Sequence, residues 1–362
     1  MKKFMHGFIL LMLVISIFGC GNKNSKEEKE TNKFDMKKAE KVVNEYMRAY
    51  ILEDYIVMEK YLGEKIALDF SASKASTRIV GYSVEESMLV GENGLFKIKV
   101  SSMSKAKVGS ELDSYNMKIS LNDKSEYVIT EIKISAEKEA FYEDFGLRLR
   151  NKSSANTDLL IDFDSFPIYA YSKEDNAKVN RIELPREHFG VINFGFSGDI
   201  IAVSTDDKIS YCGIVKIGTD SVATANGQSG KDGGDQGSSK QGGSGASIRE
   251  KPVGKEIMSL DVLSDSKINF MTFSPDEKFL LVQYTNVEGT LVIKMYNVEK
   301  GELIPFNFIK YFNSNNLNLT FNYFDNDNLI YKVEAKNKSE KYDKNIEGLW
   351  KLSLKDFETQ RY

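Results

Sequence analysis

Histidine and cysteine are almost missing: the chain has two of each among 362 residues. His6 lies in the leading apolar segment, so beyond it only His188 remains. No zinc site with several His or Cys ligands can be assembled from this set. A Ser-His-Asp or Cys-His arrangement could draw only on His188. Excess positive charge is also lacking. Lys and Arg number 49 against 53 Asp and Glu, a net charge of −4. The two signs are interleaved, so no basic stripe suggests a nucleic acid partner. Beyond the first twenty residues, no apolar run is long enough to cross a bilayer as a helix.

What is present begins with an address. Lys2 and Lys3 precede the apolar run FILLMLVISIF, Phe8–Phe18. Its 11 residues fall short of the roughly 20 that a spanning helix needs. A basic start, a short apolar core and a small residue, Gly19, make a secretory signal peptide over residues 1–19. Cys20 follows. A disulfide to Cys212 would require an uncleaved signal anchor, and a reactive thiol would require an activating base. The neighbours of Cys20 are Gly, Asn and Lys instead.

ISIFGC resembles the lipobox of bacterial lipoproteins, with Ile17 and Phe18 departing from its commonest residues. The resemblance implies that Cys20 is acylated and becomes the first residue of the mature chain. The protein is then expected on the extracytoplasmic face of the cell membrane, held by its acyl chains. Residues 20–33 (CGNKNSKEEKETNK) contain no large apolar side chain apart from the cysteine, and read as a disordered membrane tether.

A first domain is expected over 34–148. In KKAEKVVNEYMRAYILEDYIVMEKYL, apolar residues recur at the three- and four-residue steps of a helix face, from Ala39 to Ile51. Asp54 is placed to cap a second, short helix. Four strands follow, with hairpin signals at Glu92-Asn93-Gly94 and Asn122-Asp123-Lys124. The expected arrangement is α+β: two helices, then a curved antiparallel sheet. EYMRAYILEDYIVMEKYL followed by four strands resembles the nuclear transport factor 2-like (SnoaL-like) fold. The resemblance implies a cone-shaped pocket, which Asp54, Asp69 and Glu85 could line; caps and solvated strand positions are the plainer reading of all three.

The second domain, expected over 155–362, carries a repeat. Phe196-Ser197-Gly198-Asp199, Phe273-Ser274-Pro275-Asp276 and Phe324-Asp325-Asn326-Asp327 each follow one apolar strand and precede another. The last two phenylalanines are 51 residues apart. The first two are 77 apart, or 42 once a Gly/Ser-rich insertion at 219–253 is removed, near the roughly 40–45 residues of a four-stranded propeller blade. FSPDEKFLLVQY and MYNVEKGEL resemble TolB-like and WD-repeat blades. An all-β domain is expected, a partial or small β-propeller: an open arc, a small four-bladed ring or an oligomer, with an irregular antiparallel sheet as the alternative.

Several motifs fail on inspection. ANGQSGKD lacks the first glycine and the final hydroxyl of a phosphate loop, because Ala225 and Asp232 stand there, so no nucleotide partner is expected. The run Asp325–Asn328 starts like a calcium loop, but Leu329 and Ile330 stand where a ligand and a glycine are needed. His188 reads as a surface or packing residue, and Cys212, in SYCGIVKI, as a buried thiol. No cofactor, metal or catalytic residue is expected. The leading expectation is a non-enzymatic lipoprotein that binds or scaffolds an envelope protein. The alternatives are a sensor or carrier of a small apolar ligand in the first domain's cone, and an enzyme working with carboxylates alone.

Overall fold

Capping explains where the first helix begins. Asp35 accepts a hydrogen bond from the Lys37 amide at 2.9 Å and so starts helix α1, Met36–Ile51. Ala39, Val43, Tyr46 and Met47 form its buried face. Asp54 accepts from the Val57 amide at 3.1 Å and caps α2, Tyr55–Glu59. The computed structural model describes residues 34–64, 66, 76–152, 154–175, 177–218, 250–312, 316–337 and 344–362. Cys20, the expected signal peptide and tether, Asp69 and residues 219–249 of the insertion lie outside the described residues.

Six strands then form an antiparallel meander: β1 (Thr77–Val90), β2 (Asn93–Ser104), β3 (Gly109–Leu121), β4 (Tyr127–Glu143), β5 (Gly146–Asn151) and β6 (Thr157–Asp162). The first hairpin turns at Gly91-Glu92, one step before the expected place. Gly91 takes φ 62°, as the first position of a tight two-residue loop requires. On β2 every residue from Ile98 to Ser102 is buried, so the sheet is covered on both faces. α1 covers one face, where Asn44 accepts from the Tyr82 hydroxyl at 2.9 Å.

Three smaller antiparallel sheets follow. The first is β9 (Phe189–Phe194), β10 (Ile200–Thr205), β11 (Ile209–Ile217) and β12 (Gly254–Ser264). The second is β13 (Lys267–Phe273), β14 (Phe279–Thr285) and β15 (Leu291–Asn297). The third is β16 (Leu317–Phe324), β17 (Asn328–Ala335), β18 (Gly348–Ser353) and β19 (Thr359–Arg361). The ribbon of β7 (Tyr169–Ala170) and β8 (Ile182–Glu183) precedes them, and α3 (Phe308–Phe312) lies between the second and third.

The expected fold class, an α+β domain followed by a propeller-like one, is corrected. The chain is mostly sheet: the three helices described have 16, 5 and 5 residues. No closed propeller occurs among the described residues. The physical reason lies in what the leading strands of the small sheets face. Ser101 on β2 donates to Asn193 Oδ1 (2.8 Å) and to the Phe194 carbonyl (3.0 Å) on β9. Thr272 on β13 donates to the Val80 carbonyl on β1 at 2.9 Å. The Arg48 guanidinium of α1 lies over the Tyr323 ring on β16, 4.7 Å from its centre. The surfaces that a closed ring would turn toward its axis are occupied by the large sheet and its helix.

Two boundaries shift with this arrangement. Of residues 149–154, expected to separate two domains, 149–151 belong to β5, and Asp35–Tyr362 cluster as one unit. Residues 250–253, expected within the insertion, run beside β6. The Leu159 amide donates to Glu250 at 2.8 Å and the Val253 amide to the Leu159 carbonyl at 2.9 Å.

The repeat is present with a changed register. Phe273 pairs with Leu280, Phe324 with Leu329, and Phe194 with Ile201. Phe194, not Phe196, is therefore the counterpart of Phe273 and Phe324. All four phenylalanines are buried. Phe196 instead sits in the turn, against Gly81 of β1, where an added Cβ would come within 3.0 Å of its ring.

Candidate functional site

Four elements converge on a cleft of about 380 Å³ at the junction between the large sheet and the repeat turns. Glu40, Asn44 and Arg48 line it from α1, at the four-residue spacing that puts them on one helix face. Strand β1 contributes Tyr82 to Ser87. The β13–β14 turn adds Pro275 and Asp276, and the β16–β17 turn adds Phe324, Asp325 and Asn326.

The walls are acidic. The lining carries five carboxylates, those of Glu40, Glu85, Glu86, Asp276 and Asp325, and one guanidinium, that of Arg48. Lys97, on the neighbouring strand β2, pairs with Glu85 (3.0 Å) and Glu86 (3.7 Å). Lys278 pairs with Asp276 at 2.8 Å. Burial alone would raise the Asp276 carboxyl, but hydrogen bonds from Lys278 and Ser274 hold it below its ordinary value. Arg48 reaches Glu45 at 3.6 Å, while its Nε is buried with no hydrogen-bond partner. The Tyr82 hydroxyl is pushed up to about 12 by burial, against the opposing charge of Arg48, so it stays a neutral donor near neutral pH. The excess of carboxylates over the one guanidinium in this lining suits a cationic group.

The residues singled out in the sequence fall in different places. Glu85 lies in the cleft. Asp54 caps α2 on the other side of α1's C-terminus and is not in it. Asp325 is used by its own turn, accepting from the amides of Asp327 (3.0 Å) and Asn328 (2.7 Å). His188 is exposed and its carbonyl accepts from the Asp206 amide at 3.0 Å. Cys212 is buried, with Sγ 3.9 Å from the Asp261 carbonyl; burial pushes its thiol up. The stripe Glu40-Asn44-Arg48 is not among the residues that the sequence analysis singles out. Its signal was available: polar residues four apart, flanking the apolar face of a helix.

A second polar group, away from the cleft, ties the first two small sheets together. Asp261 on β12 is fully buried and accepts from the Tyr296 hydroxyl (2.7 Å) and the Lys294 ammonium (3.2 Å) of β15. Its other oxygen accepts from the Lys173 amide at 2.8 Å. Glu174 covers Lys294 at 2.9 Å.

No protein-family model matches the chain, and no curated protein matches it. Solved structures similar to it include tricorn protease, at 9% identity over 75% of this chain and 31% of that one, with a TM-score of 0.25. The β-propeller domain of Cps50 (Swd1) from Myceliophteria thermophila is similar at 10% identity over 72% of this chain and 96% of that one, with a TM-score of 0.25. Hsv2 of Kluyveromyces lactis is similar at 10% identity over 79% and 99%, with a TM-score of 0.22. A propeller and a protease are thus among the similar structures, and the chain spans less than a third of tricorn protease. At TM-scores this low, neither likeness carries an argument about fold or activity.

Proposed function

We propose that this chain is a non-catalytic lipoprotein, acylated at Cys20 and facing outward from the cell membrane, which binds or scaffolds an envelope protein. The observation that supports a binding role is the junction cleft. Five carboxylates from four elements line it. The elements are tied to one another: Thr272 of β13 bonds the Val80 carbonyl of β1, and Arg48 of α1 lies over Tyr323 of β16. A partner's lysine- or arginine-rich segment would meet a preformed acidic wall, which favours fast and selective capture. Cofactor, metal and nucleotide have no part in this reading.

Two experiments test it. In cells fed labelled fatty acid, the wild type takes up label and Cys20→Ser does not; an unlabelled wild type overturns the anchor. Mild crosslinking on intact cells followed by pull-down is expected to recover one discrete partner with the wild type. The Glu40→Lys/Glu86→Lys variant is expected to lose it. Equal recovery by that variant removes the cleft from the reading.

A further inference from the structure

The β1–β2 hairpin ends in three consecutive apolar residues that the described residues leave half exposed. Met88, Leu89 and Val90 are 50%, 49% and 50% exposed. Across the ladder Leu89 faces only Gly94, and Val90 faces Asn93. The charged residues below them are engaged: Lys97 holds Glu85 and Glu86. Exposed apolar residues grouped at a hairpin tip mark a surface that something covers.

The fold indicates what covers it. The start of α1 is at the same end of the sheet. The Asp35 amide donates to the Tyr127 hydroxyl at 2.7 Å. Tyr127 pairs with Leu121, the neighbouring Ser120 donates to Asn93 at 2.6 Å, and Asn93 pairs with Val90. The chain therefore enters this unit at the end where the apolar tip lies. Only 14 residues separate Cys20 from Asp35. At about 3.3–3.6 Å per residue, that length keeps Asp35 within about 50 Å of an acylated Cys20 at most. We propose that the tip Met88-Leu89-Val90 enters the lipid surface to which Cys20 ties the chain, as a second contact that orients the protein on the membrane. This rests on the reading of Cys20 as the anchor. An apolar insertion of this size adds to an acyl anchor in the way a second weak membrane signal does.

The test uses the full acylated chain in phosphatidylcholine vesicles. Leu89→Cys carries an environment-sensitive nitrobenzoxadiazole label; Ile134→Cys, exposed in mid-strand on β4, is the control. Cys212 is buried and stays unlabelled. With vesicles, the label at 89 is expected to shift its emission to the blue and to be quenched several-fold by nitroxide lipids, while the label at 134 is unchanged. If the chain floats with the vesicles but the two labels behave alike, the insertion is wrong and the anchor stands. If the label at 89 shifts without vesicles as protein concentration rises, a second copy covers the tip and the proposal is overturned. If the chain neither floats nor takes up fatty acid label in cells, the anchor fails and the proposal falls with it.

Discussion

Single residues carry effects of different sign. Asp113 on β3 is mostly buried, and its carboxyl is raised to about 6, first by burial and then by Glu111 and Glu137. A raised carboxyl means that the charged form costs stability in the folded state. Between about pH 4 and 6 the folded chain holds a proton that the unfolded chain has lost, so this contribution falls as pH rises through that window. Asp113→Asn is expected to stabilise the protein by about 1–2 kcal/mol at pH 7–8, after allowance for partial exposure. It should have little effect at pH 4. Urea unfolding of both proteins across that range checks the sign. Asp261 is the opposite case. Asp261→Ala would leave Lys294 and the Tyr296 hydroxyl buried with their shared partner gone, and is expected to cost about 3–5 kcal/mol. A loss under about 1 kcal/mol would mean that the network carries no stability.

At the scale of the elements, the repeat turns give the clearest expectation. Phe194, Phe273 and Phe324 end equivalent strands and are 0%, 1% and 4% exposed. Truncation of each to alanine is expected to destabilise by about 3–5 kcal/mol. Asp276→Ala removes turn hydrogen bonds at a partly exposed site and should cost about 1 kcal/mol. An unfolding series in which Phe194→Ala is neutral would break the equivalence. The sequence FGFSGD offers two phenylalanines, and matching Phe-Ser to Phe-Ser selects the wrong one. The turn geometry decides it: the amides of Gly195 and Ser274 each close the loop, onto the Ile200 and Phe279 carbonyls, both at 2.8–2.9 Å. Strands and hairpins were legible because they are written in local alternation and turn chemistry. α1 and its buried face were legible from periodicity for the same reason. The place of Glu85 beside Arg48 and Asp276 was not, because those three come from elements far apart in sequence and only packing brings them together.

For the whole molecule, the decisive feature is a buried polar seam between the large sheet and the small ones. Ser101, Ser110, Asn193 and Thr272 are all buried, and Ser101 and Thr272 bond across the seam. Around them Leu112, Leu147 and Leu149 of the large sheet share one apolar core with Ile192, Phe194 and Val203 of the first small sheet, so the two parts are not expected to separate without unfolding. Calorimetry of the wild type should therefore show one transition for Asp35–Tyr362. Two well-separated transitions would contradict the seam. The seam was hidden from sequence reading because a length of 362 residues and a change from helices to strand repeats both suggest independent domains.

The same seam creates the acidic cleft on which the proposed function rests. The most direct measurement is the affinity of the full chain for a lysine-rich synthetic peptide and for a glutamate-rich one of equal length. The wild type is expected to bind the basic peptide only, more weakly as salt rises, because exposed charges are screened over about 8–10 Å at physiological ionic strength. Glu40→Gln/Glu86→Gln should weaken that binding about tenfold or more while leaving the melting temperature unchanged. Binding of both peptides alike, or an affinity that the double substitution does not alter, would contradict the account.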